Sequence, residues 1–167
     1  MTVEELVSQM VDEMAQIPRL GVRHSYAYGT EALHGVAEVC PFPSRPESSG
    51  RCFTGFATSS ATASSLNRSL WYAIGKAQGD EARWAYDNGY LAGLHLRGPQ
   101  LNLQRDPRWG RNDNSPGEDP LLQAEYGVAI VRGGQGALQN GSYPLGEYRK
   151  VIHEMKQCVV CVILLLH

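Results

Sequence analysis

The chain has 167 residues, of which 43% are hydrophobic and 19% charged, and it carries a formal net charge of -2. That is long enough for one domain with a sizeable core, and the ordinary composition excludes neither helical nor sheet architectures. The near-balance of charge argues against a nucleic-acid or anionic-membrane partner held through a global field, and the longest apolar run, Val159 to Leu166, falls far short of a membrane span.

In chain order, residues Thr2 to Gln16 predict an amphipathic helix, with Val3, Leu6, Val7, Met10, Val11 and Met14 at spacings of three and four. Thr2 and Glu5 have the spacing of a capping box. This acidic, amphipathic start does not read as a secretory signal, which would be basic and then apolar. Pro18 ends the helix, and the segment between Gly21 and Gly29 has room for a short strand. Glu31 and His34, three apart, read as a surface helical turn, which is the commonest case, as a metal pair or as a sugar-binding carboxylate beside a supporting imidazole. A metal would need more ligands than the neighbourhood offers.

From Glu38 to Ser65 the chain is rich in Ser, Pro, Gly and Thr and predicts an irregular loop. Cys40 and Cys52 would close a short disulfide loop in an oxidising compartment. Cys158 and Cys161 form a CxxC without the second ligand pair of a zinc site. Asn67 then caps a predicted long helix to about Tyr86, ended by Asn88-Gly89, with Leu70, Ala73, Ile74, Ala77 and Ala82 as its apolar stripe. Gly75 and Gly79 share a face of that helix. Their cost to helix stability predicts a close approach by a neighbouring element.

Leu94, Leu96, Leu101 and Leu103 alternate with polar residues and predict an extended segment leading into NLQRDPRWGRNDNSPGEDP. Here Arg105, Arg108, Arg111, Asp106, Asp113, Glu118, Asp119 and Trp109 are crowded between Pro and Gly residues. Such a segment is either an ordered surface loop with internal ion pairs or a binding loop, and the flat apolar face of Trp109 suits a sugar, base or cation. Its far end, Ser115 to Glu118, reads as a second capping box with Pro116 at the first helical position, followed by a helix through Leu122, Tyr126 and Ile130 to Gly133-Gly134. Alternating helices and strands with long crossovers predict a parallel sheet covered by helices. A polar loop directly after a strand marks the active face of such a fold.

The segments IPRLGV, EALHGVA, LWYAIGKAQGDEARWAYDNG, NLQRDPRWGR, SPGEDPLL and YGVAIVRGGQG together resemble the N-terminal domain of glycoside hydrolase family 3, the β-glucosidase and β-xylosidase family. The Glu in EALHGVA resembles the plant-like xylosidase and arabinofuranosidase branch. The resemblance implies an α/β fold, an incomplete (β/α)8 TIM barrel of which residues 1–156 supply the N-terminal portion, with 157–167 a divergent apolar tail. It implies retaining hydrolysis of terminal β-linked sugars in carbohydrate and xylan breakdown, an oligosaccharide or aryl-glycoside substrate, no cofactor or metal, and an extracellular or cell-wall location.

Carried over residue by residue, Glu31 falls on the carboxylate that binds sugar hydroxyls, Arg111 on the arginine of the innermost subsite and Lys156 on the lysine of the family's Lys-His pair. Trp109 joins them as a candidate sugar contact. The family's histidine is replaced by Gln157, and the segments expected to bear the aspartate nucleophile and the glutamate acid/base are not in this sequence, so a truncated chain without catalytic carboxylates is expected. The alternative is a non-catalytic carbohydrate-binding or partner-binding remnant.

Overall fold

The structure, a computed structural model, describes residues 1–10, 13–14, 16–21, 26–27, 29–37, 53–91, 93–138, 141–143 and 149–156. The Cys40–Cys52 and Cys158–Cys161 questions, and the tail 157–167, lie outside these residues.

Helix α1 spans Val3–Ser8, and the Thr2–Glu5 capping box forms as the spacing predicts. It is much shorter than the Thr2 to Gln16 expectation, because Glu13–Met14 (β1) pairs antiparallel with Tyr26–Ala27 (β2). No residue of α1 is buried, so no packing extends the apolar stripe into a longer helix. A 3-10 turn at Pro18–Leu20 follows, closed by Gly21 in the left-handed region at φ 79°.

The main sheet holds Thr30–Glu31 (β3), His95–Gln100 (β4) and Ile152–Lys156 (β5) in the order β3-β4-β5, with both pairings parallel. Between β3 and β4 run helices α2 (Ser59–Ala63) and α3 (Arg68–Asp87), and between β4 and β5 runs α4 (Pro120–Gln135). Two successive strand-helix-strand crossovers are the repeating unit of a (β/α) barrel, so the expected fold class is met by a partial one. Helix α2 was not expected. Its Ser and Thr residues are poor helix formers, but Ser59, Thr62 and Ala63 are buried and the Trp71 indole donates to the Thr62 carbonyl at 3.0 Å.

Helix α3 begins as predicted, with the Asn67 side chain accepting from the Leu70 amide at 3.1 Å. It ends in a Schellman motif at Gly89, whose φ is 76°: the Tyr90 amide donates to the Ala85 carbonyl and that of Gly89 to Tyr86. The buried face is Trp71, Ile74, Gly75, Gln78, Gly79, Ala82 and Ala85. It is rotated from the predicted stripe, and Leu70 stays 42% exposed, because the two glycines rather than the alanines meet α4. A Cβ on Gly75 would lie 2.2 Å from the Ile130 carbonyl oxygen, and one on Gly79 would lie 2.1 Å from that of Gly134. The predicted close approach is therefore between α3 and α4.

Helix α4 does not begin with the Ser115–Glu118 box. Its cap is Asp119, whose carboxylate accepts from the Leu122 amide at 2.6 Å, with Pro120 at the first helical position. The same chemistry recurs four residues on, and the later site wins because Ser115 is fully buried and engaged elsewhere. Glu118 is exposed and does not cap the helix. Two apolar clusters form the core: Ala32, Val36, Ala82, Ala85, Leu91, Leu96 and Val151 beneath the sheet, and Ala63, Trp71, Ile74, Leu101, Tyr126 and Ile130 beneath the charged loop.

Candidate active site

All three strands of the sheet run the same way: Gln100 and Lys156 end β4 and β5 together, while Glu31, at the end of the two-residue β3, is level with Arg97, three residues before the end of β4. Gln100 is the register partner of Lys156. The charged loop leaves β4 from this end and carries Arg111 and Trp109. Of the expected contacts, Glu31 and Lys156 thus lie on β3 and β5, and Arg111 and Trp109 on the loop after β4, the side of the sheet on which ligands bind in folds of this architecture. His34 is exposed in the turn after Glu31, and no group of three or more metal-ligating side chains occurs among the described residues.

The loop is held from beneath by three glutamine amides that sequence reasoning missed. Gln100, fully buried, donates to the Ser115 hydroxyl at 3.2 Å and to the Arg111 carbonyl at 3.4 Å. Gln104 donates to the carbonyls of Asn112 (2.6 Å) and Ser115 (2.8 Å), and Gln123 from α4 to those of Asn102 (2.6 Å) and Gly117 (2.8 Å). Gln104 and Gln123 each cross-link two backbone carbonyls, and Gln100 ties a backbone carbonyl to a buried side-chain hydroxyl. The turn at Asn112–Asn114 is fixed in this way, and Arg111 immediately before it is exposed.

Asp106 and Arg108 brace the outer turn. The Arg108 guanidinium meets the carboxylate in a two-point pair at 3.0 and 2.7 Å, and the Arg108 amide adds a third bond at 2.9 Å. The guanidinium hydrogen bonds hold the Asp106 carboxyl below the usual carboxylate range and raise Arg108 correspondingly. Trp109, half-buried, follows directly, with its amide donating to the Asp106 carbonyl at 3.0 Å. A concavity of about 470 Å³ is lined by Asn102, Leu103, Arg105, Asp106, Arg108 and Trp109. Arg111 is not in that lining, so the structure does not join Trp109 and Arg111 in one pocket.

One layer into the sheet, Glu31, Arg97 and Glu154 are register partners across β3, β4 and β5 and share a face. The Arg97 Nε lies 3.8 Å from a Glu154 carboxylate oxygen, and the His95 Nε2 lies 3.2 Å from the same oxygen. His153 points to the other face, where its Nδ1–H donates to the Gly98 carbonyl at 2.9 Å and Nε2 has no partner. Burial lowers its pKa to about 4, so it is neutral near pH 7. The alternation of His95 and Arg97 with Leu94 and Leu96 was the sequence signal for this charged row; nothing local announced its partner Glu154.

No family model matches the chain. β-D-xylosidase 1 of Arabidopsis thaliana is 43% identical over 139 residues, which is 81% of this chain and 17% of that protein. β-Xylosidase/α-L-arabinofuranosidase 1 of Medicago sativa subsp. varia is 40% identical over 80% of this chain and 17% of its own length. Among solved structures, a GH3 exo-β-xylosidase in complex with a xylobiose aziridine activity-based probe superposes with a TM-score of 0.74 at 30% identity, over 94% of this chain and 19% of that one. β-Glucosidase 3B from Thermotoga neapolitana, in complex with glucose, gives a TM-score of 0.59 at 29% identity over 74% of this chain and 16% of that one. The chain therefore spans about one-sixth to one-fifth of the length of these relatives. Identity of 40% or more with these plant xylosidases over four-fifths of the chain, together with the superposition on the GH3 exo-β-xylosidase, places this chain in glycoside hydrolase family 3, as a part of the N-terminal barrel domain.

Proposed function

We propose that this chain supplies the sugar-holding part of a retaining hydrolase of terminal β-linked sugars, of β-xylosidase or β-glucosidase type. What supports the reading is the placement of Glu31 and Lys156 on strands of one parallel sheet and of Arg111 on the loop that follows the strand between them, in a chain 43% identical to a xylosidase over 139 residues. Carboxylate, guanidinium and ammonium groups fix the directions of sugar hydroxyls through charge-assisted hydrogen bonds. Trp109 offers an apolar face to the same class of ligand. The substrate is an oligosaccharide or aryl glycoside, met outside the cell or in a cell wall.

Cleavage with retention needs two carboxyl groups roughly 5 Å apart across the glycosidic bond, one as nucleophile and one as acid/base. The resemblance places neither of these two carboxyl groups on a residue of this chain. Holding without cleaving is the role this favours for the chain by itself, with both catalytic carboxylates supplied from elsewhere. The expected outcome is saturable binding of xylose in titration calorimetry, weakened about tenfold or more by Arg111→Ala or Glu31→Gln through loss of one charge-assisted bond, with no hydrolysis of an aryl β-xyloside. Turnover by the purified chain would contradict the holding role; absence of any xylose binding would remove the subsite.

A further inference from the structure

The concavity beside Trp109 is chemically unlike the proposed xylose subsite. Its lining presents donors almost alone. The Trp109 indole N–H has no hydrogen-bond partner among the described residues, and its ring makes no aromatic or cation contact there. The Arg105 guanidinium is exposed, gives one bond to the Asn102 side chain at 3.0 Å, and has no ion pair among the described residues. The one acidic group in the lining, Asp106, is consumed by its two-point pair with Arg108. The lining therefore keeps a net positive charge on Arg105, beside a flat apolar face and an unused N–H.

We infer that this concavity is a separate subsite for an acidic pyranose, a sugar ring bearing a carboxylate. The ring's C–H face would lie on Trp109, and the carboxylate would accept from Arg105 and the indole N–H. A guanidinium presents two parallel donors that match the two oxygens of a carboxylate, whereas a neutral sugar would leave the Arg105 charge uncompensated. The volume of about 470 Å³ accommodates one such ring with its substituents. Because Arg111 lies outside the lining, the acidic residue occupies a position other than the sugar held at the xylose subsite. The inference rests on the reading that this loop meets glycosides, and it specifies a decorated rather than a plain sugar chain.

The test titrates the 167-residue chain with methyl β-D-glucuronide and, separately, with methyl β-D-xyloside, following tryptophan fluorescence. The glucuronide should give a saturable change, about tenfold tighter than the xyloside in low salt because of the added charge-assisted bond, and weaker as salt rises. Trp109→Phe, a conservative change at a half-exposed position, should abolish the fluorescence change while calorimetry still reports binding. Arg105→Gln should reduce glucuronide affinity to that of the neutral sugar. Equal affinity for the two glycosides, or a fluorescence change that survives Trp109→Phe, overturns the proposal. Xyloside binding lost in Arg111→Ala is read independently by calorimetry, so failure of the xylose subsite and failure of the acidic subsite are distinguishable.

Discussion

At the scale of single residues, the loop that carries Arg111 is positioned by groups that do not touch a ligand. Gln100 contributes only its amide N–H groups, since its carbonyl oxygen is buried without a partner. A buried unsatisfied acceptor costs about 1–3 kcal/mol, so the donors must be worth keeping. Gln100→Met retains the volume but neither bond, and Gln100→Glu places an acceptor against the Arg111 carbonyl. Both should accelerate hydrogen exchange of the Asn114 and Ser115 amides, which bond to Arg111 and Asn112, by roughly tenfold or more, leaving α4 protection unchanged. Unaltered exchange at these two amides would mean that the Gln100 bonds do not hold the turn. Neither Gln100 nor Gln104 could be picked out from sequence. A glutamine carries no periodicity or spacing signal, and the carbonyls it serves become visible only once the loop has folded back on the strand.

At the scale of elements, the contact between α3 and α4 depends on backbone meeting backbone. Gly75 and Gly79 face the carbonyls of Ile130 and Gly134, and a Cβ on Gly133 would lie 2.2 Å from the Tyr72 carbonyl oxygen. Replacing Gly by Ala within a helix ordinarily gains about 1 kcal/mol. Here a methyl group would overlap a carbonyl held rigidly within another helix, and the helices would have to separate. Gly75→Ala and Gly79→Ala should each lower stability by roughly 1–3 kcal/mol as an overpacking penalty, measured as a fall in the urea midpoint, the reverse of the propensity trend. An increase in the midpoint at either position would refute the close approach. This contact was legible because two glycines four apart weaken a strong helical pattern, a cost offset when a second backbone packs where their side chains would be. The start of α4 was misread because Ser115 and Asp119 are both good caps preceding a proline. Only burial of Ser115 under Gln100 decides between them. The shortness of α1 was not legible either, since its apolar spacing is sound and what it lacks is a surface to pack on.

At the scale of the molecule, the sheet and its helices are joined at His153. Its ring reaches from β5 to the Gly98 carbonyl of β4, and it packs against α4 so closely that a Cβ on Gly134 would lie 2.2 Å from Nε2. Burial disfavours the imidazolium most, the Gly98 hydrogen bond opposes that, and His95 adds repulsion, leaving the pKa at about 4 against an ordinary 6.5. The sign follows from linkage. Between pH 6.5 and 4 the unfolded chain takes up a proton that the folded chain refuses, so this site's contribution is complete above pH 6.5 and is lost as pH falls towards 4. Two and a half units correspond to about 3 kcal/mol, a large part of the stability of a small domain. Asp80, whose carboxyl is also lowered, by Lys150 and Lys76 acting against its burial, sheds stability only below that window. The midpoint of thermal unfolding should therefore fall steadily from pH 6.5 to about 4. His153→Gln, which cannot take up the proton, should flatten this slope. A ring-proton titration by NMR gives the direct measure: a His153 midpoint near 6.5 would show that the imidazole is not held neutral between the sheet and α4.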